Sequence, residues 1–221
     1  MTRVAIVGAH GKVAQQLMRV LYDRGDDFVG IVRNEDHAED VYRLGGEGHV
    51  VDIERASAEE LAAAFEGCDA VVFTAGAGAG STIERKRTVD YAGSVKSMQA
   101  AVIAGIRRFV QVSAWGVDNP LPEDTEPVWR AYVEAKRDAD AVLRQSGLEW
   151  TILRPGGLTF DEGSGRITLG DSVPAGRIPR EDVAALISAC IAEPGTIGRQ
   201  WEAISGDTPI EDAVRSPVGS A

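Results

Sequence analysis

Apolar positions along this chain of 221 residues follow two alternating patterns. Short continuous apolar runs, typical of buried strands, are followed by segments in which apolar residues recur at helical spacing. The run at residues 4–7 leads through two glycines into a segment where Val13, Leu17 and Leu21 share one helical face. The same patterns predict strands at 29–32, 49–53, 69–74, 108–113, 150–153 and 200–204, and helices at 37–44, after Ser57, and at 83–104, 129–146 and 180–192.

Strands that alternate with helices predict a parallel sheet with right-handed crossovers. Ser57 and Glu60 form a capping-box pattern at one helix start, and Gly147 follows the helix predicted at 129–146. We therefore predict one α/β domain over residues 1–221, a doubly wound parallel sheet of the Rossmann type. Its ligand crevice should lie at the carboxyl ends of the strands. The glycine-rich residues 155–215 are predicted to form a small C-terminal cap over that crevice, followed by a loose tail at 216–221.

A glycine loop lies between the first predicted strand and the first predicted helix. Gly8 permits a tight turn, Gly11 allows phosphates to approach the backbone, and Ala14 is small enough for close helix–strand packing. The free amides at the helix start suit a dinucleotide pyrophosphate. His10 is expected to be an ordinary loop side chain, with a role as proton donor as the less favoured alternative. The predicted phosphate-binding residues are Gly8, His10, Gly11, Lys12 and Val13.

The end of the second strand predicts which dinucleotide binds. Arg33 lies there, 22 residues after Gly11, where NAD-binding proteins have a carboxylate. A guanidinium pairs well with the 2′-phosphate of NADP, so NADP is predicted and NAD is less favoured. The alternative is an exposed loop charge. A shift of strand register would instead bring Glu35 or Asp36 to this position.

Two further strand ends complete the predicted cofactor site. Asp52 and Ile53 end the third strand, where the adenine edge normally rests. Thr74, Ala75 and Gly76 follow the fourth strand, where small residues let the ribose and pyrophosphate pass. An ordinary flexible linker is the alternative for this alanine–glycine loop.

A tyrosine and a lysine four residues apart are the candidate catalytic groups. Tyr132 and Lys136 share one helical face, and a nearby ammonium is expected to lower the tyrosine pKa toward neutrality. The tyrosine would then protonate a carbonyl oxygen as a hydride reaches its carbon, while Lys136 also binds the nicotinamide ribose. Ser113, at the end of the fifth strand, would hold the substrate oxygen. The alternative is that Tyr132 packs at the crevice wall and Lys136 contacts only the ribose.

Composition excludes several classes of partner. The net charge of −11 and a pI of about 4.8 argue against nucleic acid and anionic membranes. No apolar run approaches the roughly 20 residues that span a bilayer, and because the first predicted strand begins at residue 4 we expect no signal peptide. Cys68 and Cys190 are predicted as buried free thiols. We therefore expect a cytoplasmic monomer or homodimer with a small-molecule substrate and no metal site.

Several motifs together resemble the atypical branch of the short-chain dehydrogenase/reductase superfamily, with its NmrA-like and flavin reductase-like members. The resemblance spans nearly the full chain and implies that the segment with Pro155 and Gly156 closes over the nicotinamide end. The acidic, proline-rich loop at 119–127 departs from the family pattern between Ser113 and Tyr132. The matching segments are 7–13, 88–93, 108–113, 132–136, 150–156 and 178–184.

Three functions are compatible with these features. The first is an NADP-dependent oxidoreductase that transfers a hydride to a small carbonyl, quinone or flavin-like acceptor. The second is a non-catalytic NADPH-sensing regulator, as in several relatives of this branch. A nucleotide-sugar epimerase is less favoured, because the C-terminal part is small. Four apolar residues are predicted to line the mouth of the crevice and to favour an aromatic or apolar acceptor: Trp115, Trp129, Leu158 and Phe160. The alternative is that they are ordinary core residues.

Overall fold

The computed structural model describes residues 1–217, so positions 218–221 of the predicted tail lie outside the described residues. The strands are β1 (Arg3–Val7), β2 (Asp27–Val32), β3 (Glu47–Val50), β4 (Ala70–Phe73), β5 (Arg108–Val112), β6 (Glu149–Pro155), β7 (Gly157–Thr159), β8 (Arg166–Gly170), β9 (Arg177–Pro179), β10 (Arg199–Ser205) and β11 (Thr208–Pro209). The helices are α1 (Lys12–Arg24), α2 (Glu35–Arg43), α3 (Ala58–Ala63), α4 (Ile83–Arg85), a π-helical segment (Lys86–Gly93), α5 (Ser94–Ile103), α6 (Pro127–Arg144), α7 (Arg180–Ala192) and α8 (Ile210–Arg215).

Within residues 1–217 the main sheet has nine strands in the order β3-β2-β1-β4-β5-β6-β10-β8-β11. The first seven are parallel, and β8 and β11 close one edge in antiparallel pairing. The strand order reverses between β1 and β4, which makes their carboxyl ends the switch point of the sheet. The predicted doubly wound Rossmann-type sheet is confirmed.

Two apolar cores cover the two faces of the sheet. Alternate residues of β1 enter opposite cores: Val4 and Ile6 pack with α1 and α7, while Ala5 and Val7 pack with α3 and α5. Cys190 and Cys68 are buried free thiols, one in each core, as predicted. Among the described helices, none combines the length and apolar character that crossing a bilayer requires.

Two predicted elements differ near the switch point. The third strand ends at Val50, and Asp52 begins a turn in which its Oδ1 accepts a hydrogen bond from Glu54 N at 3.0 Å. This local bond competes with strand pairing, so Asp52 and Ile53 lie in the turn after β3. The single long helix predicted at 83–104 is instead divided by the π-helical segment, whose wider turn changes which side chains face α6.

Residues 155–215, predicted as a cap, divide between two sheets. Strands β8, β10 and β11 extend the main sheet, α7 packs against α1, and β7 and β9 form a separate parallel pair. Short strands therefore occupy much of the glycine-rich stretch after Pro155. Helix α7 has its predicted bounds, and α8 was not predicted. The role of these residues as a cap stays a prediction.

Candidate functional site

A cleft of about 360 Å³ opens at the carboxyl ends of β1, β2 and β4, beside the turn after β3. We call it the switch-point cleft, because ligands of open α/β folds bind at this position. The structure brings together the glycine loop, the end of β2, the turn after β3 and the loop after β4 at this one place. The predicted cofactor-binding residues that line it are Gly8, His10, Gly11, Arg33, Asp52, Ile53, Thr74, Ala75 and Gly76.

Two glycines shape the wall of the switch-point cleft. Gly8 has a φ of +86°, and a Cβ atom there would lie 2.6 Å from the Cα atom of Ala75. Gly11 is the N-cap residue of α1 and gives no side-chain hydrogen bond to the first helical turn. The free amides of that turn and the positive end of the helix dipole therefore remain available to an anion. These features fit a dinucleotide pyrophosphate.

Lys12 and Val13, predicted with the same loop, do not line the cleft with their side chains. Lys12 is exposed, and its Nζ donates to Gln15 Oε1 at 3.3 Å. Val13 belongs to the apolar core beneath α1. Both residues lie in the first turn of α1, so only their backbone amides are available to an anion in the cleft.

Arg33 directly follows β2 and lines the cleft with an exposed side chain. Asn34 caps α2, and its Oδ1 accepts a hydrogen bond from His37 N at 3.0 Å. Glu35 and Asp36 form the first turn of α2, so neither carboxylate occupies the strand end. The group at the strand end is therefore a guanidinium, which suits a phosphate better than free ribose hydroxyls.

Several side chains of the cleft were missed from the sequence. Arg85 Nη2 donates to Glu54 Oε2 at 2.8 Å, and Glu54 also accepts a hydrogen bond from the Thr88 hydroxyl. Burial raises the pKa of the Glu54 carboxyl, but these hydrogen bonds bring it below its ordinary value. Arg85 and Glu54 lie on distant segments, so no local pattern indicated the pair. His37 was also missed, although its place one turn beyond the end of β2 could have indicated it.

Lys136 connects the cleft to the predicted catalytic helix. Its buried Nζ donates to the carbonyl oxygens of Val112 at 3.2 Å and Ala75 at 3.4 Å. It also lies 3.5 Å from Oδ1 of Asp90, a fully buried residue of the π-helical segment. The other oxygen of Asp90 accepts a hydrogen bond from Ala77 N at 3.0 Å. Lys136 therefore ties the ends of β4 and β5 to α6 at the edge of the cleft.

Tyr132 lies one helical turn before Lys136, and Lys86 Nζ is 5.0 Å from the centre of its ring. Burial raises the pKa of the Tyr132 phenol; Lys136 acts against this, and Asp90 and Asp140 raise it further. The prediction that Lys136 lowers this pKa toward neutrality is wrong for this arrangement, because burial and two carboxylates outweigh the ammonium. The phenol therefore keeps its proton at neutral pH.

Ser113 belongs to a buried network with Gln111, Asp140 and Arg154, which the exposed residue Asp118 borders. Asp140 accepts hydrogen bonds from Ser113 Oγ at 2.8 Å, Gln111 Nε2 at 2.7 Å and Arg154 Nε at 2.9 Å. Arg154 Nη1 also donates to Asp118 Oδ2 at 2.6 Å. The hydroxyl proton of Ser113 is thus bonded to Asp140, which leaves only its lone pairs for a substrate.

Pro155 and Gly156 lie at the end of β6 and outside the switch-point cleft. Trp115 N donates to Pro155 O at 3.0 Å, and Gly156 N donates to Ala203 O at 2.9 Å. A Cβ atom at position 156 would collide with the carbonyl oxygen of Gly176. Close backbone packing is therefore a sufficient reason for a glycine here.

The predicted mouth residues differ in their surroundings. Trp115 is anchored, since its Nε1 donates to Val173 O at 3.0 Å. Trp129 and Phe160 are exposed by 54% and 79%, and Arg180 stacks on Phe160 with 4.0 Å between guanidinium and ring centre. Large exposed aromatic rings of this kind are available to an apolar ligand or partner.

The sequence and the fold match known proteins. The family model for NAD(P)H-binding proteins matches residues 8–194. A relative from Bacillus subtilis (strain 168), named "uncharacterized sugar epimerase YhfK", is 37% identical over 214 residues. These residues cover 96% of this chain and 99% of that protein.

Two solved structures extend the comparison. One from Bacillus halodurans, named as an NAD-dependent epimerase/dehydratase, has a TM-score of 0.89 and 36% identity, covering 97% of this chain and 99% of that one. ChuY from Escherichia coli O157:H7, named as an anaerobillin reductase, has a TM-score of 0.79 and 26% identity, covering 93% and 98%. The chain is therefore a member of the NAD(P)H-binding family, among the atypical short-chain dehydrogenase/reductase proteins that its motifs resemble.

Proposed function

We propose that the protein is an NADPH-dependent oxidoreductase that reduces a small carbonyl, quinone or flavin-like acceptor. The observation that carries this proposal is the position of Lys136, which contacts Ala75 O on the cleft wall and follows Tyr132 by one helical turn. Lys136 would thus lie between the dinucleotide site and the proton donor. Such an arrangement suits delivery of a hydride and a proton to one acceptor.

The cofactor assignment follows from the lining of the switch-point cleft. Gly8, Gly11 and the first turn of α1 would hold the pyrophosphate, and the turn with Asp52 and Ile53 would hold the adenine edge. Arg33 favours the 2′-phosphate of NADPH over the free hydroxyl of NADH. When bound, NADPH supplies the hydride.

Tyr132 would serve as the proton donor. Its phenol is protonated at neutral pH, so it can give a proton to an acceptor oxygen on which negative charge develops. Lys136 would stabilise the resulting phenolate and bind the nicotinamide ribose. Asp90 would be a positioning residue, because it holds both Lys136 and the backbone of Ala77.

Residues 155–215 would form the acceptor side of the site. The buried carboxylate of Glu202 accepts hydrogen bonds from Gly116 N and Val173 N, both at 3.0 Å, and so joins two loops. The exposed rings of Trp129 and Phe160 favour an aromatic or apolar acceptor. The named activity of ChuY, a reductase, is in keeping with this choice.

An NADPH-sensing regulator without turnover is the second candidate. One observation favours it: the donor proton of Ser113, expected to orient a substrate, is bonded to Asp140. The names of the Bacillus relatives raise epimerisation as a third. Arg33 disfavours that activity, because its guanidinium favours the phosphate of NADPH. A reductase consumes NADPH, whereas an epimerase would retain NAD.

The test is acceptor-dependent oxidation of NADPH, followed by its absorbance, with a panel of carbonyls, quinones and flavins. We expect turnover with at least one apolar acceptor and a slower rate with NADH. Tight NADPH binding without turnover on the whole panel would favour the regulator. Retention of NAD through purification, together with conversion of a nucleotide sugar, would favour the epimerase.

A further inference from the structure

Two histidines from different elements stack on each other at the switch-point cleft. His10, from the glycine loop, and His37, from the first turns of α2, have ring centres 3.5 Å apart and planes within 5° of parallel. Both residues line the cleft beside Arg33. Stacked imidazoles in direct contact cannot both carry a proton without strong repulsion, unless a negative charge lies next to them.

The charges around the pair come from four elements. Arg33 acts on His37 from the end of β2, and Asp36 and Asp40 act on it from α2. Asp40 also lies near the partner ring, with its Oδ2 3.2 Å from His10 Nδ1. Across the cleft, the turn after β3 contributes Asp52 and Glu54 to the lining, and α4 contributes Arg85, which is paired with Glu54.

The two histidines are therefore unequal. His10 has its Nδ1 beside the Asp40 carboxylate. Burial lowers the pKa of His37 below its ordinary value, and the charges of His10 and Arg33 lower it further, against the effect of Asp40 and Asp36. In the free protein His37 is consequently uncharged at neutral pH, and a bound anion would reverse the balance of charge.

We propose that His10, His37 and Arg33 form a pH-dependent site for the 2′-phosphate of NADPH, in which His37 gains a proton when the dinucleotide binds. The inference rests on the proposed function and adds a regulation to it. A phosphate monoester carries nearly two negative charges above about pH 7, because its second pKa is about 6. The guanidinium of Arg33 balances half of that negative charge, and the positive charge of a protonated His37 balances the other half. Preference for NADPH over NADH then strengthens as the pH falls toward neutrality.

The experiment is calorimetric titration of the whole protein with NADPH and with NADH between about pH 7 and about pH 8, where the phosphate stays doubly charged. Buffers of different ionisation enthalpy report the protons taken up on binding. We expect net uptake with NADPH only, and an NADPH affinity that rises on acidification by up to about tenfold per pH unit, the limit for one proton.

Variants assign the effect to the pair. In His37→Gln we expect proton uptake to vanish and the NADPH/NADH affinity ratio to become independent of pH, and in His10→Gln we expect a reduced uptake. His49→Gln is the matched control. His49 lies on β3, outside the cleft lining, with a side chain exposed by 40%, and its removal should leave both quantities unchanged.

Failure of the inference and failure of the proposed function look different. NADPH binding with no proton uptake, or uptake that persists in His37→Gln, overturns the inference and leaves the cofactor assignment standing. NADPH and NADH affinities that are equal at every pH overturn both the NADPH assignment and the inference. Absence of any dinucleotide binding by the folded wild type overturns the proposed function itself.

Discussion

Polar side chains around the switch-point cleft are exposed or half-buried, whereas those at the ends of β5 and β6 are buried and bonded to one another. Arg33, on the cleft, is exposed and has no ion-pair partner within residues 1–217. Asp140 is fully buried and accepts hydrogen bonds from three side chains. The charge of Arg33 is therefore available to a ligand, while the charges of the buried network are satisfied within the fold.

Because of this difference, we expect substitutions in one region to change ligand affinity and substitutions in the other to change folding stability. Substitutions on the cleft should change dinucleotide binding with little effect on folding, because few contacts of the folded chain are lost there. Substitutions in the buried network should change stability first, because an unpaired buried charge is costly. Tyr132 and Lys136 lie between the two regions and should affect turnover.

The largest expected effect is on binding in Gly11→Val. The branched side chain would stand at the N-cap of α1, where the pyrophosphate must approach the backbone. We expect no measurable NADPH binding by calorimetry and a melting temperature close to that of the wild type. A folded variant that binds NADPH with wild-type affinity would contradict the pyrophosphate assignment.

Arg154→Ala should give the next largest effect, on stability. It removes the guanidinium that donates to Asp140 at 2.9 Å and to Asp118 at 2.6 Å, and leaves the Asp140 carboxylate buried without its cation. The free energy of unfolding in urea should fall by about 3–5 kcal/mol.

Arg144→Ala is the matched control for this substitution. Arg144 is exposed and donates to Gln200 Oε1 at 2.6 Å, so its loss should change stability by no more than about 0.5 kcal/mol. Equal losses in both variants would contradict the distinction between the two regions.

Much of the cleft could be predicted because its parts are local patterns. The glycine loop is defined by the strand and helix on either side of it, and the capping box of Ser57 and Glu60 forms as predicted. The positions of Arg33 and of the loop after β4 follow from strand ends, which the apolar runs mark well. A parallel sheet then brings these ends to one edge.

The buried network could not be predicted from the sequence, because its members meet only in the folded chain. Asp140 and Gln111 are 29 residues apart, and each looks like an ordinary surface residue in its own segment. The same holds for Asp90, whose position depends on the π-helical segment. Its carboxylate and the burial of Tyr132 reversed the predicted direction of the Tyr132 pKa. Burial and charges from distant segments therefore determine the direction in which the pKa of Tyr132 is shifted.

Arg33→Asp should change cofactor preference by a smaller amount. The substitution replaces a cation by an anion at the expected position of the 2′-phosphate, and a lost charge-assisted hydrogen bond is worth about 1.5–3 kcal/mol. The ratio of NADPH to NADH affinity should therefore fall by about one to two decades.

Arg19→Asp makes the same change of net charge at an exposed position of α1 outside the cleft. It should leave the affinity ratio unchanged in the same calorimetric titrations. A similar fall in both variants would mean that overall charge, rather than contact with Arg33, sets the preference.

The smallest expected effect is spectroscopic. Because burial raises the pKa of Tyr132, its ionisation should occur above the ordinary tyrosine value of about 10, in an ultraviolet titration of wild type minus Tyr132→Phe. Tyr22→Phe is the matched control, since Tyr22 is 62% exposed and lies far from the buried network. A phenolate that forms near neutral pH in the difference spectrum would contradict the proposed protonation state.

The most direct test of the central claim is oxidation of NADPH that carries deuterium at both C4 positions of the nicotinamide. The label is followed onto the carbon of a carbonyl acceptor, and with quinones and flavins, which lose the label to water, the oxidation rate of the NADPH is measured instead. We expect the label in the product with wild type. In Tyr132→Phe the rate should be lower by about a hundredfold or more, the usual loss when a general acid is removed, at nearly unchanged NADPH affinity. In Tyr22→Phe the rate should match the wild type. Tight NADPH binding without deuterium in any carbonyl product, and without NADPH oxidation by any quinone or flavin of the panel, would contradict the assignment as an oxidoreductase.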